Sequence, residues 1–131
     1  MDTSRYTVLQ HSLREKNDEK KLLEFWKFKY GRPFKVVFCI HDSKIPLLEY
    51  YKKDSDIDDH TPEKIVDLFG VNNVRLCPKN NKKFIIMFEQ RKSMKFLAEN
   101  SDIARKWVNE LNIYLRVIYA FKESTIIPES L

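Results

Sequence analysis

Apolar and polar positions alternate in short runs along most of this chain, and the period changes near its end. Leu22–Tyr30 (LLEFWKFKY) is the first strong run and predicts a strand. Gly31-Arg32-Pro33 breaks it, and Phe34–His41 (FKVVFCIH) resumes, so the two read as a hairpin. Leu47–Tyr51, Lys64–Phe69, Asn73–Cys77, Phe84–Glu89 and Met94–Ala98 read as the remaining strands, with an acidic loop from Asp54 to about Pro62. Pro78-Lys79-Asn80-Asn81 and Gln90-Arg91-Lys92 supply turns. From Ser101 the apolar residues Ile103, Ala104, Trp107, Val108, Leu111, Tyr114, Leu115 and Ile118 recur at offsets of three and four. That spacing predicts one helix over Ser101–Val117, with Ser101 as N-cap and Asp102 at its positive end. Trp107 sits on the apolar stripe and is expected to plug the core.

The flanks look different. Residues 1–20 are polar and read as a frayed leader or short helix, and 119–131 as a loose tail, which leaves one domain over 21–118. Hydrophobic residues make up 43% of the chain, enough for a real core. The glycines are Gly31 and Gly70 alone, too few for a glycine-rich phosphate loop. Cys39 and Cys77 read as reduced and independent, and two cysteines by themselves make no zinc site. The polar start does not read as a signal peptide, Asp2 excludes N-myristoylation, and no apolar run approaches the ~20 residues of a membrane span. The expectation is a cytoplasmic protein with no membrane anchor of its own.

Charge changes the picture more by its distribution than by its net value of +5. Lys27, Lys29, Arg32 and Lys35 have no acid among them, and Arg75–Lys95 is basic apart from Glu89. Asp54–Asp67 is acidic apart from Lys64. Basic segments of this kind suit an anionic partner, or simply solvate loops.

Seven short strands closed by one Trp-bearing helix resemble the pleckstrin homology (PH) domain. Phe34–Ile40 resembles the family's second strand, Leu47–Lys52 its third, and Met94–Ser101 followed by Trp107 its last strand and helix. The resemblance covers residues 21–118. It implies a mainly β fold, a seven-stranded antiparallel barrel or sandwich capped by a C-terminal α-helix. Leu48-Glu49-Tyr50-Tyr51 and the stretch from Val66 to Phe88 are similar to the insulin-receptor-substrate and Dok adaptor group.

PH domains that bind phosphoinositides usually do so at the open end of the barrel, through basic side chains of the first two strands. The resemblance therefore assigns lipid contact to Lys27, Lys29, Arg32 and Lys35, with Lys52 peripheral. One departure matters. Strong binders carry Lys-x-Arg in the second strand, and here Val37 follows Lys35 in the arginine position. Alternation places Val37 beside Lys35, facing the mouth, so the bidentate grip of a guanidinium is lost. The expected function is a non-enzymatic membrane-targeting or adaptor module. It would bind anionic phosphoinositide headgroups weakly or with loose specificity, and be recruited to the inner face of a membrane. The alternative is a protein-binding module without significant lipid affinity. No cofactor or metal is implied, and nucleic acid finds no recognised motif.

Other constellations carry less. His11, His41 and His60 lack ligand spacing, and neighbours such as His41-Asp42-Ser43 cannot converge as a triad. Trp26, Phe28 and Tyr30 alternate and read as one packed sheet face rather than a stacking platform. Glu129-Ser130-Leu131 could pass as a weak PDZ-type ligand or an arbitrary end.

Overall fold

The computed structural model of the chain describes residues 4–17 and 30–126, with side chains as far as residue 119. The elements are β1 (Arg5–Glu15), β2 (Phe34–His41), β3 (Ile45–Tyr51), α1 (Asp54–Asp58), β4 (Lys64–Asp67), β5 (Val71–Cys77), β6 (Asn80–Phe88), β7 (Met94–Ala98) and α2 (Ser101–Ile126). The strands form one seven-stranded sheet in the order β4-β3-β2-β1-β7-β6-β5. Each neighbouring pair is antiparallel.

Side chains from both outer strands, Val66 of β4 and Val71 and Val74 of β5, share one core with α2. The sheet therefore curls until its edges approach each other. The apolar stripe of α2 closes one side of it: Ala104, Trp107, Leu111, Leu115 and Ile118 are all buried. Trp107 stacks on Phe84 with centroids 6.0 Å apart, and Phe84 stacks on Phe96 at 5.3 Å. The small Ala104, fully buried, lets the helix backbone approach closely. Gly70 turns the chain from β4 into β5 at φ 87°, a left-handed conformation that glycine adopts without strain.

The strands from Phe34 onward, the closing helix and the buried Trp107 follow the sequence pattern, whereas the leader, the acidic loop, the helix N-cap and the helix end need correction. Residues 5–15 are not leader but β1, which pairs with both β2 and β7. Its alternation is hidden by a bulge between Thr7 and Leu9. Arg5 and Thr7 lie opposite His41 and Cys39 on the outer face, whereas Leu9 and Leu13 point into the core. The predicted strand over Leu22–Tyr30 lies outside the described residues except for Tyr30, which forms a bridge with Lys16. The acidic loop contains α1, whose Ile57 packs on the outer face of β2 and β3. Finally, α2 continues through what reads as tail, to Ile126, and its N-cap is Asn100, whose Oδ1 accepts the Ile103 N–H at 2.9 Å.

Candidate functional site: the basic open end of the barrel

The end of β1, the start of β2, the β3–β4 connection and the β6–β7 turn meet at one rim. Two adjoining cavities open there, of about 610 Å³ and 430 Å³, sharing Glu15, Lys16, Asn17 and Lys64. Lys16, Lys64, Arg91, Lys92 and Lys95 line the larger, and Arg32 joins Lys16 and Lys64 around the smaller. Glu15 and Glu63 are the acids among these linings.

The chain builds this rim with specific contacts. The Gly31 N–H donates to the Glu15 carbonyl at 2.9 Å and the Lys16 N–H to that of Lys95, also at 2.9 Å, which ties the ends of β1, β2 and β7 together. A Cβ on Gly31 would stand 3.2 Å from Asn17 Oδ1, so any larger residue there requires the Asn17 side chain to give way slightly. Glu15 accepts a hydrogen bond from the buried Tyr50 hydroxyl at 2.8 Å and lies 3.8 Å from Lys64 Nζ. Burial and the Glu15 carboxylate together push the Tyr50 phenol well above its ordinary pKa, so it stays a neutral donor. Lys64 Nζ also lies over the Tyr50 ring, 5.0 Å from its centroid. Arg91 stacks on Phe88 at 3.9 Å and donates to the backbone carbonyls of Asp67 and Phe69. Carbonyls orient a guanidinium without cancelling its charge, so Arg91 is a cation fixed in place.

The residues expected from sequence are distributed as follows. Arg32 is exposed at the mouth of the smaller cavity. Lys27 and Lys29 lie outside the described residues. Lys35 is on the outer face of β2, 3.8 Å from Asp54 of α1, and Lys52 lies 3.6 Å from Glu63. Neither lines these two cavities. Sequence reasoning missed Lys16, Lys64, Arg91, Lys92 and Lys95 as site residues. Arg91, Lys92 and Lys95 belong to the basic segment Arg75–Lys95, and that was the available signal. Lys64 was masked by the acids around it.

Val37 does not face the mouth. It is fully buried on the outer face with Cys39 and Tyr51, packed against Leu47 and Ile57. The physical reason is α1, which covers a face that a loop would have left open.

Beside that cluster lies a buried polar network. Glu49, only 5% exposed, pairs with Arg5 and accepts the Tyr51 hydroxyl at 2.8 Å on the same oxygen, Oε1. Burial works against the charged carboxylate, but the Arg5 and Tyr51 hydrogen bonds outweigh it and hold Glu49 below the ordinary carboxylate pKa. Cys39 is fully buried, and its thiol is pushed up to about 12, first by burial and then by Glu49. With no metal cation beside it the thiol is therefore protonated.

Among the described residues, no helix is long and apolar enough to cross a membrane. A family model described as "PH domain" matches residues 8–116. No curated protein matches the chain in sequence. Among solved structures, the chain is similar to the human PH domain of oxysterol binding protein-related protein 11. The TM-score is 0.62 at 14% identity, over 92% of this chain and 86% of that one. The carboxyl-terminal PH domain of pleckstrin gives a TM-score of 0.61 at 15% identity, over 85% of this chain and 98% of that one. The N-terminal PH domain of human ARAP2 gives 0.51 at 17% identity, over 96% and 84%. At these identities the likeness is one of fold.

Proposed function

The chain belongs to the PH domain family, whose members are generally non-catalytic lipid- or protein-binding modules, and we propose that this one binds anionic phospholipid headgroups at the basic open end of its barrel. One observation carries the reading: Lys16, Arg32, Lys64, Arg91, Lys92 and Lys95 converge on two adjoining cavities where Glu15 and Glu63 are the acids. Convergent cations at a concave rim attract phosphate groups and can meet an anionic surface together. Lys27 and Lys29 belong to the same β1–β2 connection and would add to this field, with Lys35 and Lys52 peripheral.

The composition of the rim argues for loose headgroup selection. Lysines act as point charges, and the Arg91 fork is already engaged by backbone carbonyls. Affinity should then follow charge density more than phosphate pattern. In this reading the protein is cytoplasmic and recruited to the inner face of a membrane. The adaptor role rests only on the resemblance of Leu48–Tyr51 and Val66–Phe88 to insulin-receptor-substrate and Dok proteins.

A protein-binding role is the competing reading, favoured by Ile113 and Val117, which are exposed one turn apart on α2. Sedimentation with vesicles of phosphatidylserine, singly phosphorylated and multiply phosphorylated phosphoinositides, and neutral lipid separates the two. Binding to all anionic vesicles, graded by charge and weakened by salt, is expected. Absence of binding to every anionic composition would leave the protein-binding reading.

A further inference from the structure

On the sheet face opposite α2, neighbouring strands bring three metal-ligand side chains to one place. Cys39 and His41 stand two residues apart on β2 and so share a face, and Glu49 reaches them from β3. Cys39 Sγ, a ring nitrogen of His41 and a carboxylate oxygen of Glu49 all lie within 4.8 Å of one another. None of the three takes part in the basic rim.

Two details give the cluster direction. His41 Nε2 is shut off from solvent and has no hydrogen-bond partner, although Glu49 Oε2 is only 3.5 Å away. Buried polar atoms are almost always bonded, so an unbonded one facing a carboxylate marks a place where a further group would be accommodated. Meanwhile Arg5 and Tyr51 both bind Oε1 of Glu49, which leaves Oε2 directed at His41. Hydrogen bonds on the far oxygen of a carboxylate are the kind that orient it as a metal ligand.

We propose that Cys39, His41 and Glu49 bind a zinc-class divalent cation on the outer face of β2 and β3, with water as the fourth ligand. Thiolate, imidazole and carboxylate are the three donor types that zinc selects, at about 2.0–2.3 Å. Tetrahedral geometry at those lengths puts donors roughly 3.3–3.8 Å apart, so the cluster has to tighten by about 1 Å. His41 can supply that movement. It ends β2 beside a turn whose Asp42 and Ser43 have positive φ, and its side chain is partly exposed. On binding, the Cys39 S–H bond breaks, its electron pair forms the sulfur–metal bond, and the proton leaves to solvent. No redox change is involved. Arg5 opposes the cation electrostatically, but its contact is with Oε1 and its side chain is 20% exposed, so part of its charge is hydrated.

The proposal is independent of the lipid reading, and its test needs no membrane. The untagged, reduced chain is dialysed against Zn²⁺ and metal per chain is measured, then Co²⁺ is substituted as a spectroscopic probe. About one Zn²⁺ per chain is expected, and a tetrahedral Co²⁺ spectrum with a sulfur-to-cobalt charge-transfer band. Cys39→Ser should abolish that band, Cys77→Ser should keep it, and His41→Ala should weaken binding by at least about 100-fold. Should Cys39→Ser fail to fold, His41→Ala at the partly exposed strand end carries the test, with its fold checked by near-ultraviolet dichroism of Trp107. A wild-type chain without stoichiometric zinc would overturn the proposal. So would a folded His41→Ala chain that binds as tightly as wild type, or cobalt bound without sulfur ligation.

Discussion

The indole N–H of Trp107 donates to His11 Nδ1 at 3.0 Å, joining the closing helix to the first strand across 96 positions of sequence. The two rings also meet edge to face, with centroids 6.1 Å apart. This contact secures α2 against the β1 side of the sheet, while Phe84 receives the flat face of the indole. Trp107→Ala should therefore cost ~3–5 kcal/mol, from lost burial and the cavity left behind. Chemical denaturation measures it directly, and a loss below about 1 kcal/mol would mean that α2 is not held by this residue.

The same contact makes stability depend on pH. Burial, reinforced by Lys106 and Lys35 and opposed by Glu99, holds the His11 pKa below the ordinary histidine value of 6.5. The folded state therefore prefers neutral His11, whereas the unfolded chain takes up a proton as pH falls through about 6.5. The stability from His11 is complete above that value and is lost as pH drops from there toward the lower folded value. His11→Asn keeps an acceptor for the indole but does not titrate. Melting curves at pH 7.5, 6.5 and 5.5 should show a decline in wild type, and a shallower one in this variant.

Arg5 and Glu49 tie β1 to β3 across β2, with Glu49 almost wholly buried. Removing only the guanidinium strands a buried carboxylate, so Arg5→Ala should destabilise by ~3–5 kcal/mol. Replacing both partners by methionine removes the unpaired charge as well, and should recover most of the loss. A double variant as unstable as Arg5→Ala would show that the network matters through something other than charge pairing.

Val37 gives the sharpest difference between pattern and structure. Read as a mouth residue, it invites arginine as a gain of phosphate grip. Buried with Cys39, Tyr51 and Ile57, it leaves no room or solvent for a guanidinium. Val37→Arg should therefore displace α1 or unfold the domain, at a cost of several kcal/mol. A well-folded Val37→Arg chain with improved phosphoinositide affinity would restore the reading from alternation alone.

The legible part of the fold was the part with unbroken periodicity. Phe34–His41, Phe84–Phe88 and the helix stripe through Trp107 announce themselves because each buries a continuous face. β1 was hidden because a bulge breaks its alternation and its core-facing positions include the polar His11. α1 was hidden because a five-residue helix carries one apolar contact, Ile57, among acids. The basic rim was half legible. Arg32 and the run to Lys95 stand out as charge, but Lys16 and Lys64 become neighbours only when the sheet curls. The Cys39, His41 and Glu49 cluster was not legible, because the histidines show no ligand spacing among themselves and Glu49 is brought to the other two only by the β2–β3 pairing.

The central claim is that the basic rim is the binding site, and matched charge reversals test it most directly. Lys16, Arg32 and Lys92 are exposed around the cavities, whereas Arg75, Lys79 and Lys82 are exposed and line neither of them. Each triple change to glutamate alters the net charge equally, so non-specific attraction falls equally in both. Each rim cation is worth ~1 kcal/mol near an anionic surface. Titration against phosphatidylserine and phosphoinositide vesicles should show Lys16→Glu/Arg32→Glu/Lys92→Glu losing binding by at least about 100-fold. The Arg75→Glu/Lys79→Glu/Lys82→Glu chain should retain most of it. Equal losses in the two variants, or a rim variant that still binds as wild type does, would contradict the account.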